Sequence, residues 1–394
     1  MLELTNSQQE LVEKVRKWFH NWENGIRSGP HPQYITYTGR AGSGKTVVAQ
    51  SIVKDLGLAK NEYVATAYVG KAVMRLQQTN LPAKTIHSLI YRIIPTMKLD
   101  EKTNRKYLSF SFELKESLDP NYRLIIVDEA TMVNEELQKE LLSFGLPIIF
   151  MGDKNQLPPV FGISSIMNNP DHELTEIMRQ KEDDPIVILA NMVLNDVPLL
   201  EGQYGKSSVI RGYQMTKSVL TDFDQVICVT NKLRSDINNY VRFNLKGYRS
   251  LEPKLHDKIM CRQNNWQLNV DGFNLTNGMV GHITDISRHS LSKGYYTLDF
   301  KPDFFEEGQE FLGLHVDAKY LTSPYEEQKI AHRLKYEKFE YAYAITAYTA
   351  QGSEWDRVLY FDSWFRDADL TKKSRYTSIT RAKEAITIVT GKMY

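Results

Sequence analysis

Short apolar runs separated by helix-period stretches occur in two sets along the chain. The first set is YITYT (34–38), EYVATA (62–67), RLIIVD (123–128) and LPIIFMGD (146–153). The second is DQVICVT (224–230), YAYAIT (341–346), RVLYFD (357–362) and AITIVTG (385–391). The runs are rich in β-branched residues and apolar without alternation, which predicts strands covered on both faces. Helical patterns between them predict parallel pairing. Two sets predict two α/β domains in series, over 1–180 and 186–394, meeting at the acidic stretch KEDDP (181–185). Two regions break the pattern. Between Ile93 and Glu116, extended runs flank the polar turn Asp100 to Asn104 and predict a β-hairpin insert at about 92–118. From Gly281 to Tyr320 the runs GHITDI, GYYTLDF and FLGLHV alternate with turn residues. They predict a small antiparallel, barrel-like β insert within about 281–335.

Composition changes this picture little. The 394 residues are 42% hydrophobic and 25% charged, enough to bury two sizeable cores. The net charge of +1 points to no polyanionic partner by itself, so any anion site must be local. Cys228 and Cys261 show no CxxC or Cys/His spacing, and Cys228 sits in the apolar run VICV. A reducing compartment fits them better than a disulfide scaffold or a zinc site. The first residues are charged and amphipathic, and no apolar run approaches 18 residues. The expectation is a soluble cytoplasmic protein with no membrane partner.

The stretch TYTGRAGSGKT (36–46) carries chemistry. A strand runs into a glycine-rich turn and then an amphipathic helix, with Gly39, Gly44, Lys45 and Thr46 at G-x-x-x-x-G-K-T spacing. Backbone N–H groups of Gly39, Ala41, Gly42, Ser43 and Gly44 can then wrap a phosphate chain. Lys45 reaches the β/γ-phosphates and the Thr46 hydroxyl ligates Mg²⁺. The predicted cofactors are ATP and Mg²⁺. LIIVDEAT (124–131) supplies the acids such a loop needs: Asp128 for the metal and Glu129 to orient or deprotonate water. In GDKNQLPPV (152–160), Gln156 at a strand tip is placed to sense the γ-phosphate.

The ordered set GRAGSGKT, TIHSL (85–89), IIVDEATMV (125–133), GDKNQLPPV, LTEIMRQ (174–180), AITAYTAQGSEWD (344–356) and YTSITRAK (376–383) resembles the motifs of superfamily 1 helicases, most closely the RecD/Dda branch. The resemblance spans nearly the whole chain. It implies two tandem RecA-like domains with parallel sheets, the hairpin of the first acting as a duplex-splitting pin. It also implies ATP-driven 5′→3′ movement on single-stranded DNA. Gln8 matches the adenine-reading glutamine and Glu354 an acid near the nucleotide sugar. Arg179 and Arg381 match two arginines that close on the γ-phosphate, a role suited to planar, permanently charged donors. The DNA-contacting motifs fall on Thr66, Thr85 and His87 in the first domain, and on Thr230, Asn231, Asn277, Thr346 and Tyr348 in the second. Each of these also has an ordinary reading as a cap or turn residue, Thr85 before IHSLIY being one case. On the hairpin, Met97, Tyr107, Phe110 and Phe112 offer a face for stacking a base or for packing onto the domain.

Two departures stand out. Relatives carry His-Lys where this chain has Tyr348-Thr349, and ATAYVGKA (65–72) lacks the usual Pro-Thr. The implied partners are single-stranded DNA and single-strand/duplex junctions, with single-strand-binding, replication or recombination proteins around them. A monomer suffices, since both halves of the ATP site occur in one chain. An RNA helicase of the same superfamily and a non-motor P-loop ATPase switch are the other readings the motifs allow.

Overall fold

The computed structural model describes residues 4–27, 29, 31–100, 105–176, 184–212, 222–290, 294–323 and 336–391, with the backbone alone for 95–100, 105–110 and 288–290. Two compact units divide the chain, and neither is one continuous run. The first comprises Met1–Arg92, Phe112–Pro198 and Lys372–Thr380; the second comprises Ile93–Ser111, Leu199–Thr371 and Arg381–Tyr394. The expected boundary at 181–185 falls largely outside the described residues. Among the described residues, no helix is long and apolar enough to cross a membrane.

In chain order the strands up to residue 174 are β1 (Tyr34–Gly39), β2 (Tyr63–Ala67), β3 (Ala83–Thr85), β4 (Tyr91–Asp100), β5 (Arg105–Leu114), β6 (Leu124–Asp128), β7 (Ile148–Gly152) and β8 (His172–Leu174). Six form a sheet in the order β3-β2-β6-β7-β1-β8, with every neighbouring pair parallel. Ile125, Ile126 and Val127 of β6 and Ile148, Ile149, Phe150 and Met151 of β7 are fully buried. That accounts for their unbroken apolar runs, since helices cover both faces of such strands. The helix Asn6–Glu23 starts with a capping box: Gln8 N–H donates to Thr5 Oγ1 while Thr5 N–H donates to Gln8 Oε1. β4 and β5 pair as the expected two-stranded ribbon, and the turn at 101–104 lies outside the described residues.

The second unit contains β9 (Gly202–Tyr204), β10 (Ser207–Arg211), β11 (Gln225–Cys228), β12 (Lys258–Cys261), β13 (Asn265–Val270), β14 (Phe273–Leu275), β15 (Val280–Ser290), β16 (Tyr295–Pro302), β17 (Phe311–Asp317), β18 (Phe339–Tyr341), β19 (Ala344–Thr346), β20 (Trp355–Phe361) and β21 (Ala382–Thr390). One sheet runs β19-β11-β20-β21-β10-β9, parallel except for the β9 edge. A second, antiparallel sheet runs β17-β16-β15-β12-β18. Here burial alternates: Tyr296, Leu298 and Phe300 of β16 point inward and their neighbours are partly exposed. A bridge between Val316 and Glu337 ties the β17 edge to the residues just before β18, so the sheet curls toward the expected barrel.

The run YAYAIT differs from expectation. It splits into β18 in the antiparallel sheet and β19 in the parallel one. Two buried amides serve the backbone at the step. Asn238 Nδ2 donates to the carbonyls of Tyr341 and Ala344, and its Oδ1 accepts from Ala344 N–H. Gln225 Nε2 donates to the carbonyls of Ala342 and Tyr343. No periodicity within the run could reveal the switch, because both strands are buried.

Arg242 and Asp257, both fully buried in the second unit, form an ion pair. The guanidinium lies 3.7 Å from the Tyr341 ring centroid and also donates to Glu252 O at 2.6 Å. Asp257 accepts from Tyr343 OH and from Lys254 N–H. Removing one member of such a pair strands the other charge. Arg242→Ala should therefore lower the unit's stability by about 3–5 kcal/mol, with Arg242→Met/Asp257→Leu recovering much of the loss. Urea unfolding monitored by circular dichroism checks this; equal stability of the single and double variants would refute it.

Candidate nucleotide site

In the first sheet all strands point the same way, so β1, β2, β3, β6 and β7 deliver their carboxyl ends to one edge. Open parallel sheets place ligand sites on that edge. β1 ends at Gly39 and the helix Lys45–Asp55 begins after Gly44. Gly42 and Gly44 both have φ of 80°, a left-handed turn that other residues adopt at a cost. Gly39 is required by space instead: a Cβ there would lie 2.3 Å from Ser43 Oγ. Lys45 Nζ donates to Gly39 O at 2.7 Å and Arg40 O at 3.2 Å, so the cation rests on the loop's own carbonyls. Thr46 is half-buried at the helix start.

Gln8 is only 3% exposed and joins this loop. Its Nε2 donates to Ser43 O at 3.1 Å while its Oε1 caps the Asn6–Glu23 helix. Both ends of the amide are engaged, so the glutamine props the loop as well as the helix.

Asp128 and Glu129 lie at the end of β6, 1% and 3% exposed. Glu129 has φ of 51°, uncommon for a non-glycine residue, and its N–H donates to Asp128 Oδ1 at 2.8 Å. The fully buried Tyr37, on β1 beyond β7, has its phenol pushed well above the usual range by burial and then by Asp128. Sequence reasoning missed Arg75, on the helix Gly70–Gln78. Its Nη2 lies 3.0 Å from Asp128 Oδ2 and 3.5 Å from Glu129 Oε1. Nothing in the sequence marked it: the contact follows from the pairing of Ala67 with Asp128, which places the helix after β2 beside the acid pair.

Gln156 is 3% exposed, with no hydrogen-bond partner for Oε1 among the described residues. Its loop is held firmly. Lys154 N–H donates to Thr38 Oγ1, and Leu157 N–H donates to Thr377 Oγ1 at 3.0 Å. The fully buried Asp153 accepts from Tyr376 OH at 2.7 Å. Burial and Asp153 together push the Tyr376 phenol well above its usual range. Tyr376 and Thr377 are a second set that sequence reasoning missed, and the same run of chain continues into Arg381.

The arrangement suits a magnesium nucleotide. Ser43 Oγ and Gln156 Oε1, buried and unpartnered among the described residues, and a lysine held by loop carbonyls are what a phosphate-binding edge presents. Thr46 and Asp128 would hold the metal.

The other expected residues are distributed as follows. Arg179 lies outside the described residues. Arg381, in the second unit, is 2% exposed and donates to Ser353 O. Glu354 is half-buried in the same unit. Thr66 is fully buried, and its hydroxyl donates to Lys84 O on β3, so it ties two strands and presents nothing to solvent. Thr85, Thr230 and Thr346 are N-caps, accepting from Ser88, Leu233 and Thr349 N–H respectively. Thr230 is exposed, Asn231 and Tyr348 are half-buried, and Asn277 is exposed on a turn. Thr230, Thr346 and Tyr348 follow the parallel strands β11 and β19 and so share one edge of the second sheet. Burial raises the Tyr348 phenol and lowers the His87 imidazole, keeping both neutral at pH 7. His87 lies between Tyr68 and Tyr91, with ring centroids at 5.4 and 5.6 Å, and Tyr91 in turn meets Phe112 at 5.8 Å. The side chains of Met97, Tyr107 and Phe110 are outside the described residues.

Residues 23–162 match the AAA domain family, and residues 341–389 match the UvrD-like helicase C-terminal domain family. The chain is similar to the ATP-dependent RecD2 DNA helicase of Deinococcus radiodurans, 25% identical over 383 residues. That match spans 89% of this chain and 46% of that protein. It is also similar to the uncharacterized protein R530 of Acanthamoeba polyphaga mimivirus, 28% identical over 186 residues, or 40% and 37% of the two chains. The chain thus covers less than half the length of either relative. Among solved structures it is similar to a Pif1 helicase from Bacteroides in complex with ADP-AlF3 and ssDNA, with a TM-score of 0.54, 17% identity and coverage of 98% and 92%. A Pif1 helicase from Candida albicans gives a TM-score of 0.51, 16% identity and coverage of 100% and 96%. At these identities the likeness is one of fold, and the fold is that of two RecA-like domains.

The buried tie between Asp153 and Tyr376 generates a prediction. Tyr376→Phe leaves one carboxylate oxygen without its donor and should cost about 1–3 kcal/mol. It should also speed amide hydrogen exchange across 153–157, read by mass spectrometry; unchanged exchange there would remove the tie's role in holding the Gln156 loop.

Proposed function

We propose that the chain is a superfamily 1 helicase of the RecD/Pif1-like group, an ATP-dependent translocase on single-stranded DNA that unwinds duplexes 5′→3′. The observation that carries the reading is the assembly of the phosphate loop, the acid pair Asp128–Glu129 and Gln156 on one edge of one parallel sheet. Its context is a chain whose later segments match a helicase C-terminal domain.

Backbone N–H groups of residues 39–44 and the Lys45 ammonium bind the nucleotide's phosphates. Mg²⁺, held by Thr46 and Asp128, would neutralise charge on the phosphates. Glu129 accepts the proton of the attacking water, and Gln156, its Oε1 uncommitted, orients that water. Arg179 and Arg381 supply donors to the charge of the transferring phosphoryl group. On the strand side, the capping threonines Thr85, Thr230 and Thr346 contribute hydroxyls beside His87, Asn231, Asn277 and Tyr348. The Thr230 hydroxyl accepts from a helix N–H and still carries a proton to offer a phosphate oxygen, whereas the Thr85 hydroxyl donates to Ser88 Oγ and the Thr346 hydroxyl pairs with that of Thr349. DNA contacts of this kind need no strongly basic surface, consistent with the net charge of +1.

The test is ATP hydrolysis with and without single-stranded oligonucleotides, followed by unwinding of duplexes bearing a 5′ or a 3′ tail. Strand-stimulated hydrolysis and unwinding of the 5′-tailed duplex are expected. Hydrolysis indifferent to any nucleic acid would point to a non-motor ATPase, and stimulation by RNA alone to an RNA helicase. Unwinding only from a 3′ tail would reverse the polarity.

Two variants sharpen it. Lys45→Ala should reduce turnover by at least about 10³-fold while single-strand binding by fluorescence anisotropy stays within about twofold. Replacing residues 95–110 with a short turn should spare strand-stimulated hydrolysis and impair unwinding; equal unwinding would make the hairpin a structural element only.

A further inference from the structure

Asp128 and Glu129 are two adjacent carboxylates, each at most 3% exposed, at the end of a fully buried strand. Two like charges in such a place require a cation nearby, because an uncompensated buried charge is costly. The guanidinium of Arg75 fills that role, 3.0 Å from Asp128 Oδ2 and 3.5 Å from Glu129 Oε1. The nearby Lys45 ammonium donates to the carbonyls of Gly39 and Arg40. Resting on the assignment of Asp128 to the metal, we propose that Arg75 is a positioning residue that occupies the acid pair in place of the divalent cation and yields it when magnesium nucleotide binds. It thereby sets the Mg²⁺ concentration at which the site loads.

Three features favour exchange over a permanent structural tie. First, Arg75 is one-third exposed, whereas Ala72, Val73 and Leu76 on its helix are buried. Its side chain can therefore swing into water without disturbing the helix's packing. Second, a guanidinium and a divalent cation cannot both sit on one buried carboxylate without strong mutual repulsion. Third, Glu129 has φ of 51° and its N–H is held by Asp128 Oδ1. The second carboxylate is thus tied to the first through its own backbone and keeps its place when the guanidinium leaves. The helix bearing Arg75 begins directly after β2, whose Ala67 lies opposite Asp128, and so the contact is fixed by strand register.

The expected effect of removing the guanidinium is opposite to ordinary site damage. Arg75→Gln should bind Mg²⁺ more readily, with the Mg²⁺ concentration for half-maximal binding of a fluorescent N-methylanthraniloyl ADP falling about ten-fold. The same variant should melt at lower temperature in EDTA without nucleotide, and regain most of the loss with Mg²⁺ and ADP. Arg75→Lys, which keeps the charge and loses the fork, should show a smaller fall in Mg²⁺ requirement and serves if Arg75→Gln does not fold. An unchanged or increased Mg²⁺ requirement in these variants would overturn the proposal. Asp128→Asn separates it from the assignment beneath it. If Asp128→Asn leaves the Mg²⁺ requirement untouched, the metal assignment itself is wrong. If Asp128→Asn raises it while the Arg75 variants do not lower it, only the role of Arg75 fails.

Discussion

Parallel pairing makes every strand of a sheet end on the same edge, and the chemistry of the first unit depends on that constraint. Gly39, Ala67, Thr85, Asp128 and Gly152 close five strands that are far apart in sequence. Their shared direction brings the phosphate loop, the acid pair and the Gln156 loop to one side. An antiparallel arrangement of the same runs would send neighbouring strand ends to opposite sides and scatter these groups. The sheet remains parallel because helices cover both faces and the strands are apolar throughout.

Burial then imposes a second requirement, which the structure meets in three different ways. Asp128 and Glu129 face Arg75, a cation that can be withdrawn. Asp153 is neutralised by no cation among its described partners and is served by Tyr376 and Asn155 hydrogen bonds, a stiff arrangement suited to holding a loop. Asp257 has the fully buried Arg242, which also lies against the Tyr341 ring. The exposure of the partner separates the cases: Arg75 is one-third exposed, and Arg242 is fully buried.

Much of this was legible from the chain alone. The glycine spacing at 39–46 implied a turn between a strand and a helix, and the chain turns there between β1 and the helix Lys45–Asp55. Unbroken apolar runs implied parallel strands, and the short runs GHITDI, GYYTLDF and FLGLHV with turn residues between them implied an antiparallel sheet. Thr85 read as an N-cap and is one. Other features were hidden for identifiable reasons. Thr66 appeared available for a contact, but its hydroxyl bonds β3, which lies beside β2 only once the strand order is known. YAYAIT looked like a single strand because the residues that divide it, Asn238 and Gln225, act from other elements.

The sequence by itself determined the local states: which runs extend, where helices start, and which loop can receive phosphate. These depend on side-chain period, caps and backbone freedom among neighbouring residues. Only the tertiary structure decided which charges meet. Arg75 and Asp128 are brought together by the parallel register of β2 and β6. Tyr376 and Asp153 meet because a late helical segment packs within the first unit. Such pairings follow from strand order and burial, which belong to the whole fold, and an isolated arginine or tyrosine in a sequence carries no mark of the carboxylate it will face.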